Sequence, residues 1–400
     1  WRITEEGFMQ NVPVISNLKA RFSYGVTGNN RIPDYLHMSL LSPVTVIFDG
    51  SPATGFNPFN IANPNLGWEQ SVEINPGIDI GLFDNRLNIT ADYYERTSKD
   101  LLLNQPMLSI TGFNEATINI GEVKNSGFEL EVSANILNIS DLTWNATANY
   151  SHNKNELIDY AGADGTLSYV DSKRPALYIA KEGYPISSYY GYVYEKDIPL
   201  EYLKNPYKVA GQTAQDVYVK DLNGDGIIDE DDQAILGSPY PKHIWSLTNT
   251  LTFKGFDLSF MLQGSHGAKI RNMDDEYIEN QFNSGSDYIT AAGDPNFFPD
   301  ADRVVLKTFT DLRIQDASYI ALRNINLGYT LPKTLLSKVG FTKARVYAAA
   351  SNLLFIMADD YTSFNPEGIR GDDGNPLRAG YQVGAAPIAK TITFGVNLEF

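Results

Sequence analysis

The 400 residues contain no cysteine. That excludes disulfides, thiolate metal sites, cysteine nucleophiles and a lipidated cysteine within them. No stretch reaches the ~18 apolar residues that a membrane helix needs. There is no basic n-region followed by an apolar h-region, and the chain starts Trp-Arg-Ile-Thr without a Met. The expectation is a mature, processed or truncated product. Basic residues are scarce, 31 against 48 acidic, for a formal charge of -17. No nucleic acid is expected as a partner, because phosphate binding needs a Lys/Arg field.

Catalytic signatures are missing as well. The sequence holds no G-x-x-x-x-G-K-[ST], no G-x-G-x-x-G, no H-E-x-x-H and no G-x-S-x-G. His37, His152, His243 and His266 are far apart in sequence and share no metal spacing, so they read as polar strand or loop residues. Asp294, Asp300, Asp302, Asp359 and Asp360 offer carboxylates in loops. A glycosidase pair needs two of them aimed at one bond, and solvated acidic loops are the commoner use. No enzyme is expected.

What is present is alternation of apolar and polar residues in long runs. Leu18, Ala20, Phe22, Tyr24 and Val26 share one face. So do Val72, Ile74, Ile78, Ile80 and Leu82, then Leu87, Ile89, Ala91 and Tyr93. Phe128 to Ile136 and Trp144 to Tyr150 continue the pattern. The second half repeats it around Trp245–Phe253, Phe256–Leu262, Ile325–Leu331 and Ile392–Phe400, with a less regular run near 341–353. Such alternation marks strands with one apolar face.

Alternation alone fits a soluble sandwich or a membrane barrel. Connection lengths discriminate. Residues 83–85, 138–141, 254–255 and 332–340 are short links. Residues 28–67, 99–123, 157–242, 267–316 and 354–387 are long ones. Short and long alternate strictly, so all tight turns fall at one end of the sheet. Outer-membrane barrels have this asymmetry, with short periplasmic turns and long extracellular loops. The runs also match the ~9–11 residues of a tilted spanning strand. Trp68, Tyr93, Tyr94, Trp144, Tyr150 and Trp245 sit where interface girdles are expected. The chain closes on Phe400, after Phe394, Val396 and Leu398 at alternate positions. An apolar terminal strand of this kind suits docking to an assembly machine by strand addition.

These residues, with several local motifs, resemble the SusC/RagA-type TonB-dependent outer-membrane transporters of Bacteroidetes. The stretches are Leu18–Asn29, Asn63–Glu69, Asn125–Leu130, Asp221–Gly226, Ile325–Tyr329, Ser351–Leu354 and Phe394–Phe400. The resemblance implies a barrel of about 22 strands, an N-terminal plug inside it, TonB contacted by a region before the plug, and a SusD-like surface lipoprotein as a lid. It implies import of oligosaccharides or oligopeptides. About ten spanning strands are legible and no plug is, so the resemblance is to the C-terminal barrel portion. Leu18–Val26 is then expected to be an interior strand whose neighbour lies upstream of residue 1. The alternative reading is a secreted calcium-dependent carbohydrate-binding β protein.

The fold expected is all-β: an antiparallel transmembrane barrel wall over residues 1–400. Leu18, Phe22, Ile89, Leu130, Val132, Leu247, Phe260, Leu327 and Phe394 are expected to face outer-membrane lipid. The Ser, Thr, Asn and Gln faces are expected to line the lumen. Strand parity makes residues 157–242 one extracellular excursion, placed to help contact the lid and open to protease at Lys204 or Lys208 when the lid is removed. Tyr189–Tyr194 within it are expected to form β structure. Their tyrosines suit either an interface or packing under a large loop.

One sharp site stands inside that excursion. Residues 221–232 match D-x-[DN]-x-[DN]-G with acids at positions 9 and 12. Asp221, Asn223 and Asp225 occupy positions 1, 3 and 5, Ile227 offers its carbonyl at 7, and Asp229 and Asp232 stand at 9 and 12. The expectation is one structural Ca²⁺, bound less tightly than with the usual bidentate Glu at position 12.

Overall fold

The computed structural model describes residues 1–30, 34–107, 109–113, 115–119, 121–160, 166–170, 177–197, 217–274, 309–336, 340–368, 370–372 and 375–400. Ten long strands form one antiparallel sheet in chain order. They are β1 (Ile15–Asn29), β2 (Glu69–Leu82), β3 (Leu87–Lys99), β4 (Glu122–Ile139), β5 (Leu142–Asp159), β6 (His243–Phe253), β7 (Phe256–His266), β8 (Tyr319–Thr330), β9 (Lys343–Met357) and β10 (Thr391–Glu399). All ten coincide with the runs read from the alternation. Several extend to 15–18 residues, beyond the legible alternation at the long-loop end.

The register explains why the alternation is coherent from strand to strand. Leu18 pairs with Ile80, Ile80 with Ile89, Ile89 with Val132, Val132 with Ala148, Ala148 with Leu247, Leu247 with Leu262 and Leu262 with Leu322. Directly opposed residues share a face, so these side chains make one apolar row across eight strands. A parallel row joins Leu258, Leu327, Ala348 and Phe394. A slip of one residue would turn every such side chain to the other face. Among the described residues, no second layer covers this surface. Phe22 is 71% exposed and Phe394 79%, which is the signature of a face solvated by lipid.

One polar residue sits within it. Asn249 pairs with Ala146 and Phe260 on the apolar face. Trp144 covers it, its indole N–H donating to Asn249 Oδ1 at 3.0 Å. A polar group facing lipid needs such a partner inside the protein.

Run 341–353 reads poorly for a local reason. Asn352 in β9 has φ +52°, and the pairing with β8 shifts between Leu322 and Asn324. The irregularity swaps the face parity of the strand's upper third.

The sheet is open among the described residues. β1 pairs only with β2 as a full strand, and β10 only with β9. Trp1 and Arg2 lie along part of the free edge of β1, through Trp1–Ala20 main-chain bonds of 2.9 Å. No pairing joins β1 to β10 in a closed ten-strand ring, in keeping with the expectation that other strands complete the barrel.

Short links at one end and long ones at the other follow directly from the strand bounds. The long links carry their own strands. Leu41–Phe48 and Ser51–Pro58 form a hairpin, and Leu102–Pro106 pairs with Glu115–Asn119. Thr166–Val170, Leu177–Lys181, Ser188–Tyr192 and Gln233–Gly237 form one small sheet. Lys269–Asn272, Ile314–Asp316, Asn375–Gln382 and Arg370–Asp372 form another. Buried apolar clusters lie here, around Tyr178, Tyr189 and Ile314, and around Ala268, Ile270, Ala317 and Tyr361. A wall one strand thick has no interior, so buried core can accumulate only where loops stack on one another.

Candidate functional site

The face opposite the apolar rows is built from charged and amide side chains at mid-strand height. Arg21 of β1 donates through Nε to both oxygens of Asp79 at 3.1 and 3.0 Å, and through Nη2 to Asp92 at 2.9 Å. Lys19 adds an ion pair to Asp79 at 3.5 Å. Gly77 leaves room for this cluster, since a Cβ there would meet Asp92 Oδ1 at 2.2 Å and Arg21 Nη2 at 2.9 Å. Further round the wall, Arg345 donates to Asp257 Oδ1 at 2.9 Å and to Asn326 at 3.0 Å. Such groups are costly on a lipid face and ordinary on a lumenal one.

Between these clusters runs a shallow concavity of about 460 Å³, lined by Thr90, Asp92, Glu129, Glu131, Asn149 and Gln263 among others. Its polar side chains belong to the lumenal face of β3 to β7. The lumenal Ser/Thr/Asn/Gln residues of the sequence reading are therefore joined by an ionic network. Sequence reasoning missed that network, because the partners of Arg21 lie 58 and 71 positions away and meet only through register.

At the long-loop end the wall is tied to the loops above it. Arg323 sits at the β8 irregularity and points inward. It donates to Gln263 at 2.6 Å, to Glu367 Oε2 at 3.0 Å and to Tyr319 at 3.1 Å. The Tyr319 hydroxyl donates to Glu367 at 2.6 Å. Burial pushes the Glu367 carboxyl up, but the Arg323 and Tyr319 hydrogen bonds outweigh it and hold the group below its usual range. Asn155 of β5 anchors another loop by accepting from Ile186 N–H at 2.9 Å.

Tyr189 is the pin of the loop cap. It is fully buried, and its hydroxyl donates to the Gly380 and Lys269 carbonyls while accepting from Arg271 N–H. One side chain thus joins all three of the long loops between β5 and β10. Burial, then the neighbouring Tyr178, push its phenol well above the ordinary tyrosine value. Of the two uses open to the Tyr189–Tyr194 run, Tyr189 takes packing under the loops. Ser188–Tyr192 is indeed a strand.

Residues 221–232 form a compact, self-bonded loop. Asp221 accepts from Gly224 N–H at 2.6 Å and Gly226 N–H at 2.8 Å. Asn223 Oδ1 accepts from Asp225 N–H at 2.9 Å, and Asp225 Oδ1 from Ile227 N–H at 2.8 Å. Asp229 caps the short turn Glu230–Asp232 by accepting from Asp231 N–H at 2.9 Å. Asp232 folds back, taking Leu222 N–H at 2.7 Å and Asp229 N–H at 3.1 Å. Desolvation pushes the Asp232 carboxyl up, and the N–H groups of Asp229, Leu222 and Asn223 more than reverse it, so it lies below the usual value. Gly224 and Gly226 take φ of +79° and +82°, which the turn requires and glycine supplies without strain. Ile227 keeps its side chain exposed. The loop brings Asp221, Asn223 and Asp225 together on one side and Asp232 back against the first turn. Among the described residues, no three acidic or histidine groups converge as a metal cluster.

Other residues singled out in sequence fare differently. Asp360 accepts from Asp316 N–H at 3.1 Å, a structural bond. Asp294, Asp300, Asp302, Lys204 and Lys208 lie outside the described residues.

An open sheet with one uncovered apolar face, an ionic opposite face and all elaboration at one end is the wall of a membrane β-barrel. The chain belongs to the family described as TonB dependent receptor-like, beta-barrel, whose profile matches residues 10–353. It is 31% identical to TonB-dependent receptor P3 of Formosa agariphila, covering all of this chain and 41% of that protein. It is 30% identical to TonB-dependent receptor SusC of Bacteroides thetaiotaomicron, covering all of this chain and 39% of that protein. The structure of the RagAB peptide transporter matches over the whole chain and 42% of its own, with TM-score 0.75 and 25% identity. The chain thus spans about two fifths of the relatives it matches. Its place is the bacterial outer membrane, with the long loops extracellular.

Proposed function

We propose that these residues form the C-terminal wall and part of the extracellular cap of a TonB-dependent nutrient importer. The observation that carries this is the pairing of an ionic lumenal wall with three interlocked loops pinned by Tyr189. A SusD-like lipoprotein closes over the loops, including the excursion 157–242. TonB acts on a region outside these residues. The cargo is an oligosaccharide or an oligopeptide, in line with the relatives named SusC and the RagAB peptide transporter. The chain works without making or breaking bonds in the cargo. A secreted carbohydrate-binding β protein is disfavoured by the exposed apolar rows, which water does not tolerate at this size.

The test is growth of a deletion strain on single nutrient sources, with uptake of labelled glycans and peptides compared with and without TonB. Loss of TonB-dependent uptake of one class supports the reading and names the cargo. Unchanged uptake of both classes, or turnover of glycan by the purified protein, defeats it.

We further propose that residues 221–232 hold one structural Ca²⁺. The donor chemistry fits: Asp221, Asn223, Asp225, Asp229 and Asp232 supply hard oxygens, and Ile227 a carbonyl. A carboxylate oxygen accepting one N–H retains a further lone pair for a cation. The side chains must still swing inward to converge. Chelation and Asp225→Ala should each raise proteolysis of this loop while the barrel stays folded. Indifference of the loop to both removes the calcium reading.

A further inference from the structure

Trp68, just before β2, takes no part in the lumenal network or the loop cap, and its indole lies on the outer side of the wall. Gly28 of β1 fixes that placement. Gly28 follows Val26 at the next alternate position of an unbroken pairing with β2, so its Cβ direction is that of Phe22, Tyr24 and Val26. A Cβ there would stand 2.9 Å from Trp68 Cε3 and 3.5 Å from Cζ3. The six-membered ring therefore fills the space of the missing side chain, on the apolar face. Trp68 is 62% exposed, so the ring surface turned away from Gly28 is open.

Its height follows from the spanning runs. Leu18 to Val26 on β1, and Val72 to Leu82 on β2, each match the about 9–11 residues that cross the hydrocarbon core. Gly28, Gln70 and Trp68 come next outward, at the level of the outer headgroups, where tryptophan is favoured.

Hydrogen bonds hold the frame around the ring. Glu69 accepts from Asn29 Nδ2 at 2.6 Å and from Leu102 N–H at 2.9 Å. Asn119 accepts from Gly67 N–H at 2.7 Å and donates to the Gly67 and Asp100 carbonyls at 2.9 and 3.0 Å. The loop before β2 and the loop after β3 are thus bound together on either side of Trp68. Beside the ring is a concavity of about 630 Å³, lined by Trp68, Asn65, Gln70 and Asp100 among others. Among the described residues, the Trp68 N–H, the Asn65 and Gln70 amides and the Asp100 carboxylate make no hydrogen bond or ion pair. No lysine or arginine among them lines the concavity.

We propose that this concavity binds a pyranose ring of an outer-leaflet glycolipid. A pyranose presents a face of C–H bonds, whose partial positive charge suits the negative face of an indole. Its hydroxyl rim both donates and accepts. That matches a set with indole and amide N–H donors and with amide and carboxylate oxygen acceptors. A phosphate would meet the Asp100 carboxylate and no cation. An ammonium headgroup would suit Asp100 and the ring face, but would leave every N–H donor without an acceptor. An acyl chain uses none of these polar groups. The sugar belongs to a lipid because the ring stands beside Val26, on the face away from the lumen through which cargo passes.

The test uses the whole transporter, purified from outer membranes in a polyoxyethylene detergent, which carries no sugar. Native mass spectrometry counts the glycolipid retained by wild type, Trp68→Leu, Asn65→Ala/Gln70→Ala and Gly28→Ala. Wild type should keep one glycolipid through detergent washing, and each variant roughly tenfold less, equivalent to about 1.4 kcal/mol. Gly28→Ala belongs in the series because its methyl displaces the ring while leaving the polar groups in place. The extracted glycolipid, stripped of its sugars by mild acid and added back, should bind wild type no better than the variants. Equal retention by all four proteins overturns the proposal. So does binding that ignores the sugars, or an ethanolamine-headed lipid lost in the same variants in place of the glycolipid. Displacement of the lipid by the released free sugars at the same concentration overturns the lipid assignment. If Trp68→Leu or Gly28→Ala does not assemble, Asn65→Ala/Gln70→Ala decides, since those exposed side chains make no hydrogen bond among the described residues.

Discussion

At the scale of single residues, neighbours on one strand meet opposite solvents. Val132 pairs with Ile89 and Ala148 on the apolar face, and Ser133 with Asn88 and Thr147 on the lumenal one. Val132→Arg should cost roughly 2–4 kcal/mol at mid-membrane and impair assembly, while Ser133→Arg should be tolerated. Equal yields of folded, heat-modifiable barrel from both would contradict the face assignment. Asp232 gives a second residue-level outcome. Its folded pKa lies below the ordinary aspartate value, so its contribution to stability is present above that value. It is lost as pH falls through the folded pKa. Hydrogen exchange at the Leu222 and Asn223 amides should therefore stay slow down to about pH 4 and rise only below it. Asp232→Asn should show the raised exchange at neutral pH. The faces and the Asp-rich loop were legible in sequence because both are local patterns. The Arg21–Asp79–Asp92 cluster was not, since it depends on which residues register sets side by side.

At the scale of elements, the contrast is between wall and cap. The ten long strands announce themselves through alternation, because each has lipid on one side and a polar lumen on the other. The cap strands are three to eight residues long, and several lie between stacked loops, where neither face is solvated uniformly. Their order is also set by distant partners. Lys269–Asn272 runs parallel to Asn375–Gln382, a pairing no local pattern specifies. The tyrosine run showed that something packed there, but could not show against what. Tyr189→Phe removes the hydroxyl that bridges Gly380 and Lys269 and should loosen the cap by about 1–3 kcal/mol. Gly380→Ala should act in the same direction, because a Cβ there meets the Tyr189 hydroxyl and Pro239 at 2.1 and 2.4 Å, at a φ of +96°. Limited proteolysis should then cut the loops of either variant faster than wild type, with barrel heat-modifiability unchanged. Loss of the barrel itself would mean that cap and wall fold as one unit.

At the scale of the molecule, the decisive feature is that the sheet has two edges. β1 presents Phe22, Tyr24 and Val26, each more than half exposed, beside main-chain groups that, among the described residues, only Trp1 and Arg2 partly cover. β10 presents Ile392, Phe394 and Val396 in the same way. In a membrane an open edge leaves backbone N–H and C=O groups without partners, at several kcal/mol each, so a spanning sheet has to close. Ten strands could close on themselves only if β1 and β10 paired, and the two strands take their partners elsewhere along a single meander. Residues 1–400 refolded alone in detergent should therefore fail to give a monomeric, heat-modifiable barrel and should aggregate through the two edges. Supplying the remaining strands of the transporter, fused or in trans, should restore it. A cysteine pair placed on facing positions of β1 and β10 should stay unlinked under oxidant in the assembled protein. Efficient crosslinking there would show a ten-strand ring and overturn the larger barrel.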